Sequence, residues 1–178
     1  MTALGDVLLV LLADRGGTAH DIQLRHAATF GADQRVDISR VSWTLTRQER
    51  LGFVRSAASP TQARQRRYEL TEEGARRQRM WMLRVPADFS AEDVRTRVLL
   101  AIESTDRATF EMVVSVCLAH LELSRLRTNP GRPGAPLSAD SARAELTDAG
   151  LAAEVTWLQG LRTRARQRDH ADQHALGA

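Results

Sequence analysis

The chain has 178 residues, 43% of them hydrophobic, which is enough to bury the core of one large domain or two small ones. Its single cysteine, Cys117, lies in an apolar helical pattern, which excludes an internal disulfide and a cysteine-based metal cluster. The formal net charge is only +3, yet all 25 basic residues are arginine, so their distribution along the chain is more informative than their number.

The first predicted element is an apolar helix near the start of the chain. Its apolar residues fall on one helical stripe, formed by Leu4, Val7, Leu8, Leu11 and Leu12. Gly16 and Gly17 end this helix. The segment is too short to cross a bilayer and does not have the form of a secretory leader. We therefore expect a core helix in a cytoplasmic protein with no membrane partner.

A second helix is predicted between Thr18 and Gly31. Thr18 with Asp21 three residues later is an acidic variant of the capping box, and glycine is the residue that most often ends a helix. A third helix starts near Asp37 or Ser39 and runs to about residue 51. Its apolar side carries Ile38, Val41 and Leu45, and its opposite side carries Arg40, Trp43, Arg47 and Arg50. One face is thus predicted to enter a core and the other to contact a partner.

A β-hairpin is predicted after the third helix. Gly52 is the stop, and "FVRSA" and "RRYEL" are two short β-prone runs around a polar connection that contains Pro60. Thr71 then caps a fourth helix whose first turn holds the acids Glu72 and Glu73. The order of three helices, two strands and a helix is that of a winged helix, a helix-turn-helix variant with a hairpin wing.

The basic excess is concentrated in this region. Between Arg40 and Arg67 there are seven arginines and one acid, Glu49, a balance of +6, whereas from Val85 onward the balance is −2. A basic third helix and wing indicate a polyanionic partner.

A second, all-helical domain is predicted after Pro86. Ser90 with Asp93 caps its first helix, and the helices cover 91–103, 107–127 and 139–168. The expected domains are therefore 1–85, 86–168 and a polar, flexible tail at 169–178. Helices this long cannot bury their apolar stripes alone, so they either fold onto each other or pair with a second chain. Pairing with a second chain is the more economical interpretation, and a homodimer interface is predicted at Phe110, Val114, Leu118, Leu121, Leu146, Ala153, Trp157 and Leu161.

Motifs of an enzyme are missing from the sequence. It holds no phosphate-cradling glycine loop, no metalloprotease-type histidine pair and no nucleophile elbow. We therefore expect a protein that is not an enzyme and needs no cofactor or metal.

Four segments resemble the PadR family of bacterial transcriptional regulators: "GGTAHDI", "ISRVSWTLTRQERLGFVRS", "RRYELTEEG" and "AAEVTWLQGLRTRAR". The third is shared by many winged helices, whereas the fourth resembles the last helix of the family's C-terminal domain. The resemblance implies a dimeric repressor whose C-terminal helices mediate dimerisation and which responds to a small aromatic or drug-like effector. The chain departs from the family pattern at Ala19, His20, Ser42 and Gln48.

The predicted DNA-contacting residues fall into two groups. On the third helix, Arg40 and Arg47 would contact guanine or phosphate, and Ser39 and Thr44 would add weaker contacts. Trp43 has two interpretations, contact with a sugar or a thymine methyl, or packing under the wing. On the wing, phosphate contacts are predicted for Arg64, Arg66 and Arg67, although alternation places Arg67 on the other face from Arg66.

The sequence predicts a mainly α fold with a small β-hairpin wing, an N-terminal winged helix-turn-helix plus a C-terminal helical dimerisation domain. The predicted function is a PadR-like homodimeric repressor on a pseudo-palindromic double-stranded DNA operator. Trp81 and Trp157 are candidate ligand-binding residues, with core packing as their other interpretation. The alternative function is a winged-helix dimer that binds proteins or ligands without DNA.

Overall fold

The computed structural model describes residues 4–58, 66–86, 89–128 and 138–176, and it confirms a mainly α-helical chain with a small antiparallel sheet. In chain order the elements are α1 Leu4–Ala13, β1 Gly17–Thr18, α2 Ala19–Phe30, α3 Ile38–Arg50, β2 Val54–Ala58, β3 Arg66–Leu70, α4 Glu72–Leu83, α5 Ala91–Ser104, α6 Arg107–Arg127 and α7 Ala139–Leu176. The chain divides into two compact units, Met1–Val113 and Val114–Ala178. No helix in the described part of the chain is long and apolar enough to span a membrane.

Helix α1 is the centre of the first unit. It contacts α2, α3, α4, α5 and β3, and every residue from Val7 to Leu12 is buried. The predicted stripe is therefore too narrow, because a helix that is apolar all round is covered on every side. Asp6, which is also buried, is held by the Arg77 guanidinium through bonds of 2.8 and 3.2 Å to its two carboxylate oxygens. The pair joins the start of α1 to α4.

The ends of the helices follow the predicted capping residues. Thr18 and Asp21 form the capping box of α2, and Asp37 caps α3 by accepting from the backbone of Ser39 at 2.7 Å. After α3, the amides of Gly52 and Phe53 donate to the carbonyls of Glu49 and Gln48, which is a Schellman motif. Gly52 has a φ of +79°, a conformation that favours glycine.

The sheet has one strand more than the sequence indicated. Strands β2 and β3 pair antiparallel with Ser56 opposite Tyr68, which confirms the hairpin. Strand β1 pairs with the other edge of β3, so the order is β1-β3-β2. A two-residue strand is too short to show alternation, and the sequence predicted only a helix end at Gly17. The wing tip, with Pro60 and Arg64, lies outside the described residues.

Gly74 in the "TEEG" segment lies against the turn that follows α3. A Cβ at this position would overlap the carbonyl oxygen of Phe53. Thr71 joins this turn to the start of α4. Its hydroxyl donates to the Gly52 carbonyl at 2.6 Å and accepts from the Gly74 amide at 3.0 Å. The close approach of α4 to this turn therefore requires glycine.

Helix α5 belongs to the first compact unit. Val94, Val98 and Ala101 are buried, and α5 contacts α1 and α2. The unit thus extends past residue 85, where the sequence suggested a boundary. Helix α5 is linked to the end of α4 by Arg97, whose buried guanidinium donates to the Arg84 carbonyl.

The second unit contains the part of α6 from Val114 onward and the whole of α7. Buried side chains on these helices are Val114, Cys117, Leu118, Leu121, Val155 and Leu158. Arg125 and Asp148 join the two helices through bonds of 2.9 and 3.3 Å, and the guanidinium holds the pKa of the Asp148 carboxyl below its usual value. Helix α7 continues to Leu176, eight residues past the end expected at Arg168.

Candidate nucleic-acid interface

The outward face of α3 carries three exposed arginines and an exposed tryptophan. Ser39, Arg40, Trp43, Arg47 and Arg50 are all exposed, whereas Val41 and Leu45 are fully buried. The helical period separates these two sets because residues three and four apart share a side. Ile38, predicted to be in the core, is 38% exposed because it begins the helix.

The three arginines on this face have uncommitted charges. Within the described residues, the guanidinium groups of Arg40, Arg47 and Arg50 form no ion pair and no hydrogen bond. The Arg47 guanidinium makes a cation–π contact with Trp43, with 5.8 Å between Cζ and the ring centroid. By contrast, Arg25 donates to the carbonyls of Leu11, Arg15 and Gly16. Charges left free on a surface are available to an anionic partner.

Thr44 does not lie on this face. It is 6% exposed, and its hydroxyl donates to the Arg40 carbonyl at 2.7 Å. Threonine commonly satisfies its hydroxyl on the preceding turn of its own helix. The prediction that Thr44 contacts DNA is therefore corrected, whereas Ser39 remains exposed at the start of α3.

The base of the wing is attached to α3 through Glu49. One carboxylate oxygen accepts from the Ser56 hydroxyl on β2 and from the Arg66 guanidinium on β3, at 2.5 and 3.1 Å. The Arg66 side chain is still 56% exposed, and its guanidinium lies 5.9 Å from the Tyr68 ring centroid. Arg66 thus lies beside α3 with part of its surface open to solvent.

The other wing arginines have different surroundings. Arg67 points to the opposite side of β3, as alternation predicted, and donates to the Gly16 carbonyl at 3.0 Å. This bond commits it to the junction of β1 with β3, so the structure does not support a phosphate contact for Arg67. Arg55 on β2, which the sequence did not single out, is exposed and pairs with Glu69 at 3.0 Å. Arg64 lies outside the described residues.

A groove runs beside the exposed face of α3. It has a volume of 550 Å³ and is lined by Arg40, Trp43, Arg47, Phe53 and Arg77, among others. Arg77 is held by Asp6 and lies 5.5 Å from the Phe53 ring centroid, so it forms a fixed wall. Arg50, which the sequence placed on the same side of α3 but not among the predicted DNA contacts, extends this exposed face.

A second cavity lies at the other end of α3. It has a volume of 710 Å³, and its walls come from α1, α2, α3, α5 and the short 3-10 turn Ala32–Gln34. Apolar walls include Leu4, Val7, Phe30 and Leu99, and polar walls include His26, Arg35, Asp37 and Arg95. Burial lowers the pKa of His26, whose Nδ1 has no hydrogen-bond partner among the described residues. Burial thus favours the neutral form of the imidazole.

The two tryptophans proposed as ligand-binding residues are in dissimilar places. Trp81 lies under the Arg97 guanidinium, whose Cζ is 4.7 Å from the centroid of the Trp81 ring. The same Cζ is 4.5 Å from the centroid of the Phe89 ring. This arrangement gives Trp81 a structural part in joining α4 to α5. Trp157 is half-buried on α7.

The residues predicted for a dimer interface also divide into two sets. Phe110, Val114, Leu118 and Leu121 are buried within a single chain. A second chain cannot reach them, which corrects this part of the prediction. Leu146 is 76% exposed, Ala153 is exposed, and Trp157 and Leu161 are half-buried. Leu126, at the end of α6, is 82% exposed and was not predicted.

No family model matches the sequence, and no curated protein does. Solved structures that resemble the chain include those of PadR, of a PadR-like regulator and of a virulence activator. Bacillus subtilis PadR in complex with operator DNA is 17% identical, with 90% of this chain and 97% of that chain covered and a TM-score of 0.41. The PadR-like transcriptional regulator BC1756 from Bacillus cereus is 20% identical, with coverages of 90% and 94% and a TM-score of 0.39. The Vibrio cholerae virulence activator AphA is 16% identical, with coverages of 98% and 99% and a TM-score of 0.39.

Proposed function

We propose that the protein is a PadR-like transcriptional regulator, a homodimeric repressor that binds double-stranded DNA through α3 and the wing. The observation that carries this proposal is that the exposed guanidinium groups of Arg40, Arg47 and Arg50 on α3 form no ion pair and no hydrogen bond with any other described residue. Arg76 on α4, by contrast, pairs with the neighbouring acids Glu72 and Glu73. Three arginines that share one exposed helical face and make no such pair within the described residues provide a surface for phosphates and base edges.

The division of labour follows from the position of each side chain. Helix α3 would lie in the major groove, where an arginine can contact guanine O6 and N7 together. Arg66, at the base of the wing, would contact a phosphate and contribute affinity that does not depend on sequence. Arg40 and Ser39 lie at the start of α3, where contacts to a backbone phosphate or a base edge are both within reach of a docked helix.

A homodimer would present two copies of α3 to a pseudo-palindromic operator, with half-sites about one helical turn apart. The exposed side chains that favour such a dimer are Leu146 and Ala153 on α7 and Leu126 on α6. Isolated exposed leucines are common, but two that are more than three-quarters exposed on one helical unit favour a covering partner.

We further propose that a small aromatic effector occupies the 710 Å³ cavity beside α3. Its volume is in the range of small-molecule sites, and Phe30 would contact a ring. The lining carries both signs of charge: Arg35 and Arg95 would face a carboxylate of the effector, and the acids Asp33, Asp37 and Glu92 would accept from its hydroxyl groups. Asp37, the N-cap of α3, also lines this cavity, so an occupant would touch the start of the DNA-reading helix. An effector acts only if it binds the DNA-competent and the released geometry unequally.

The experiment that tests the proposed function is selection of the purified full-length protein against randomised DNA duplexes. We expect enrichment of a two-fold-symmetric motif. We also expect that aromatic acids, titrated into the complex of the protein with the enriched duplex, lower the affinity of the protein for that duplex. Enrichment of no sequence would contradict DNA recognition and favour the alternative of a winged helix that binds proteins, for which the 65% exposure of Trp43 is the supporting feature.

A further inference from the structure

Trp43 lies on the exposed face of α3, and the proposed contacts between arginines and DNA do not explain its presence there. Its side chain is 65% exposed, although tryptophan buries more area than almost any other residue when it enters a core or an interface. It lies within one helical turn of both Arg40 and Arg47, in the middle of the basic face. Tryptophan is enriched at interfaces, so a large apolar ring in the middle of this basic face is available to a partner.

Trp43 also restricts the side chain that follows it by one turn. The Arg47 guanidinium lies 5.8 Å from the centroid of the indole, within the range of a cation–π contact. Because Arg47 forms no ion pair within the described residues, the indole is the group that holds its charge in place. An arginine that is already ordered loses less side-chain entropy when it binds.

We propose that Trp43 is a specificity-determining residue that contacts the 5-methyl group of a thymine next to the guanine bound by Arg47. The inference rests on the proposed DNA-binding function. Four residues of helix correspond to about 6 Å, less than two base-pair steps of about 3.4 Å. The two side chains therefore reach adjacent or next-adjacent bases. In the major groove the thymine methyl is the apolar group that an indole edge can cover.

The experiment replaces each thymine of the selected operator with uracil, which lacks the methyl group and retains the same hydrogen-bonding pattern. The full-length wild-type protein, Trp43→Ala and Met80→Ala are compared. Met80 is a suitable control because it is 62% exposed and lies on α4. Circular dichroism of each variant establishes that its helix content and thermal unfolding are unchanged.

For the wild type we expect uracil to weaken binding about fourfold at one thymine in each half-site, the effect of removing one buried methyl. Met80→Ala should lose affinity for the uracil-containing operator by the same factor as the wild type. Trp43→Ala should bind the thymine-containing and the uracil-containing operator equally. If the wild type selects an operator but tolerates every uracil, or if Trp43→Ala still discriminates fourfold, Trp43 does not read thymine and DNA binding itself stands. If the wild type selects no DNA sequence, both the proposed function and this inference fail.

Discussion

Glu49 on α3 forms an ion pair of 3.1 Å with Arg66 on β3, and the same carboxylate oxygen accepts a hydrogen bond from Ser56 on β2. One side chain therefore joins the proposed DNA-reading helix to both strands of the wing. Glu49 is also the single acid between Arg40 and Arg67. It neutralises part of the basic surface while it fixes the angle of the wing against the helix.

Glu49→Gln should raise the affinity for scrambled DNA. The amide keeps a hydrogen bond to Ser56 but removes a negative charge from the basic surface, so that it no longer competes with the phosphate for Arg66. We expect the salt slope of log K to become steeper by up to ~0.9, the value of one phosphate contact. Glu122→Gln is the matched control, since it changes the net charge equally from an exposed position on α6. Equal salt slopes for the two variants would rule out this role of Glu49.

Arg66→Ala should act in the opposite direction. Loss of a phosphate contact weakens operator and scrambled duplexes alike and lowers the salt slope by ~0.9. Arg67→Ala provides the contrast, because Arg67 donates to the Gly16 carbonyl and its loss should reduce folding stability and leave the salt slope unchanged. Fluorescence anisotropy over a salt series measures the slopes. A larger slope change for Arg67→Ala would reverse the two assignments.

Arg47→Ala should affect recognition more than general affinity. If Arg47 contacts a guanine, its loss costs about 1–3 kcal/mol on the operator and relaxes the base preference at that position. Arg79→Ala, an exposed arginine on α4, removes the same charge from another surface and should leave the preference intact. Competition between single-base operator variants measures the preference, and an unchanged preference in Arg47→Ala would show that Arg47 does not read a base.

Gly74→Ala should destabilise the first unit. The new methyl group overlaps the Phe53 carbonyl oxygen, which cannot move without displacing the turn after α3, and overpacking of this kind costs about 1–3 kcal/mol or more. Gly150→Ala, on α7 with open space around it, should stabilise its helix by up to about 1 kcal/mol. Urea unfolding of the two variants compares these free energies. Destabilisation of both would mean that the close contact at Gly74 is not the cause.

Leu146→Arg should dissociate the proposed homodimer. An arginine at this 76% exposed position adds no strain within one chain but places a charge in an apolar interface. Gln159→Arg, on another side of α7, adds the same charge and should remain dimeric. Sedimentation velocity distinguishes the two species. A monomeric wild type, or a dimeric Leu146→Arg, would contradict an interface at this position.

The features that could be predicted from the sequence are those set by short-range chemistry. Thr18, Ser90 and Gly52 cap or end their helices as expected, because a cap depends on a few neighbouring residues. Alternation also separated Arg66 from Arg67 correctly. These patterns need no knowledge of the rest of the fold.

The features that could not be predicted depend on distant contacts. Thr44 is predicted to add a weaker contact from the same region of α3 as Arg40 and Arg47, yet its hydroxyl is satisfied by its own helix, which allows burial. Strand β1 exists because β3 offers it an edge, and two residues carry no pattern of their own. The apolar stripe on α6 was assigned to a second chain, although Leu118 and Leu121 are buried within one. For β1 and for α6, the deciding partner lies far along the chain, where a local pattern carries no information about it.

The central claim is that the exposed arginines of α3 recognise DNA. Its most direct test is the affinity of the full-length protein for the selected operator and for a scrambled duplex, measured from 50 to 200 mM salt, roughly the range over which phosphate contacts show their effect. We predict linear loss of log K with log salt for both duplexes and an operator preference of at least ~10³ that persists throughout. Binding that is independent of salt, or equal for the two duplexes, would contradict it.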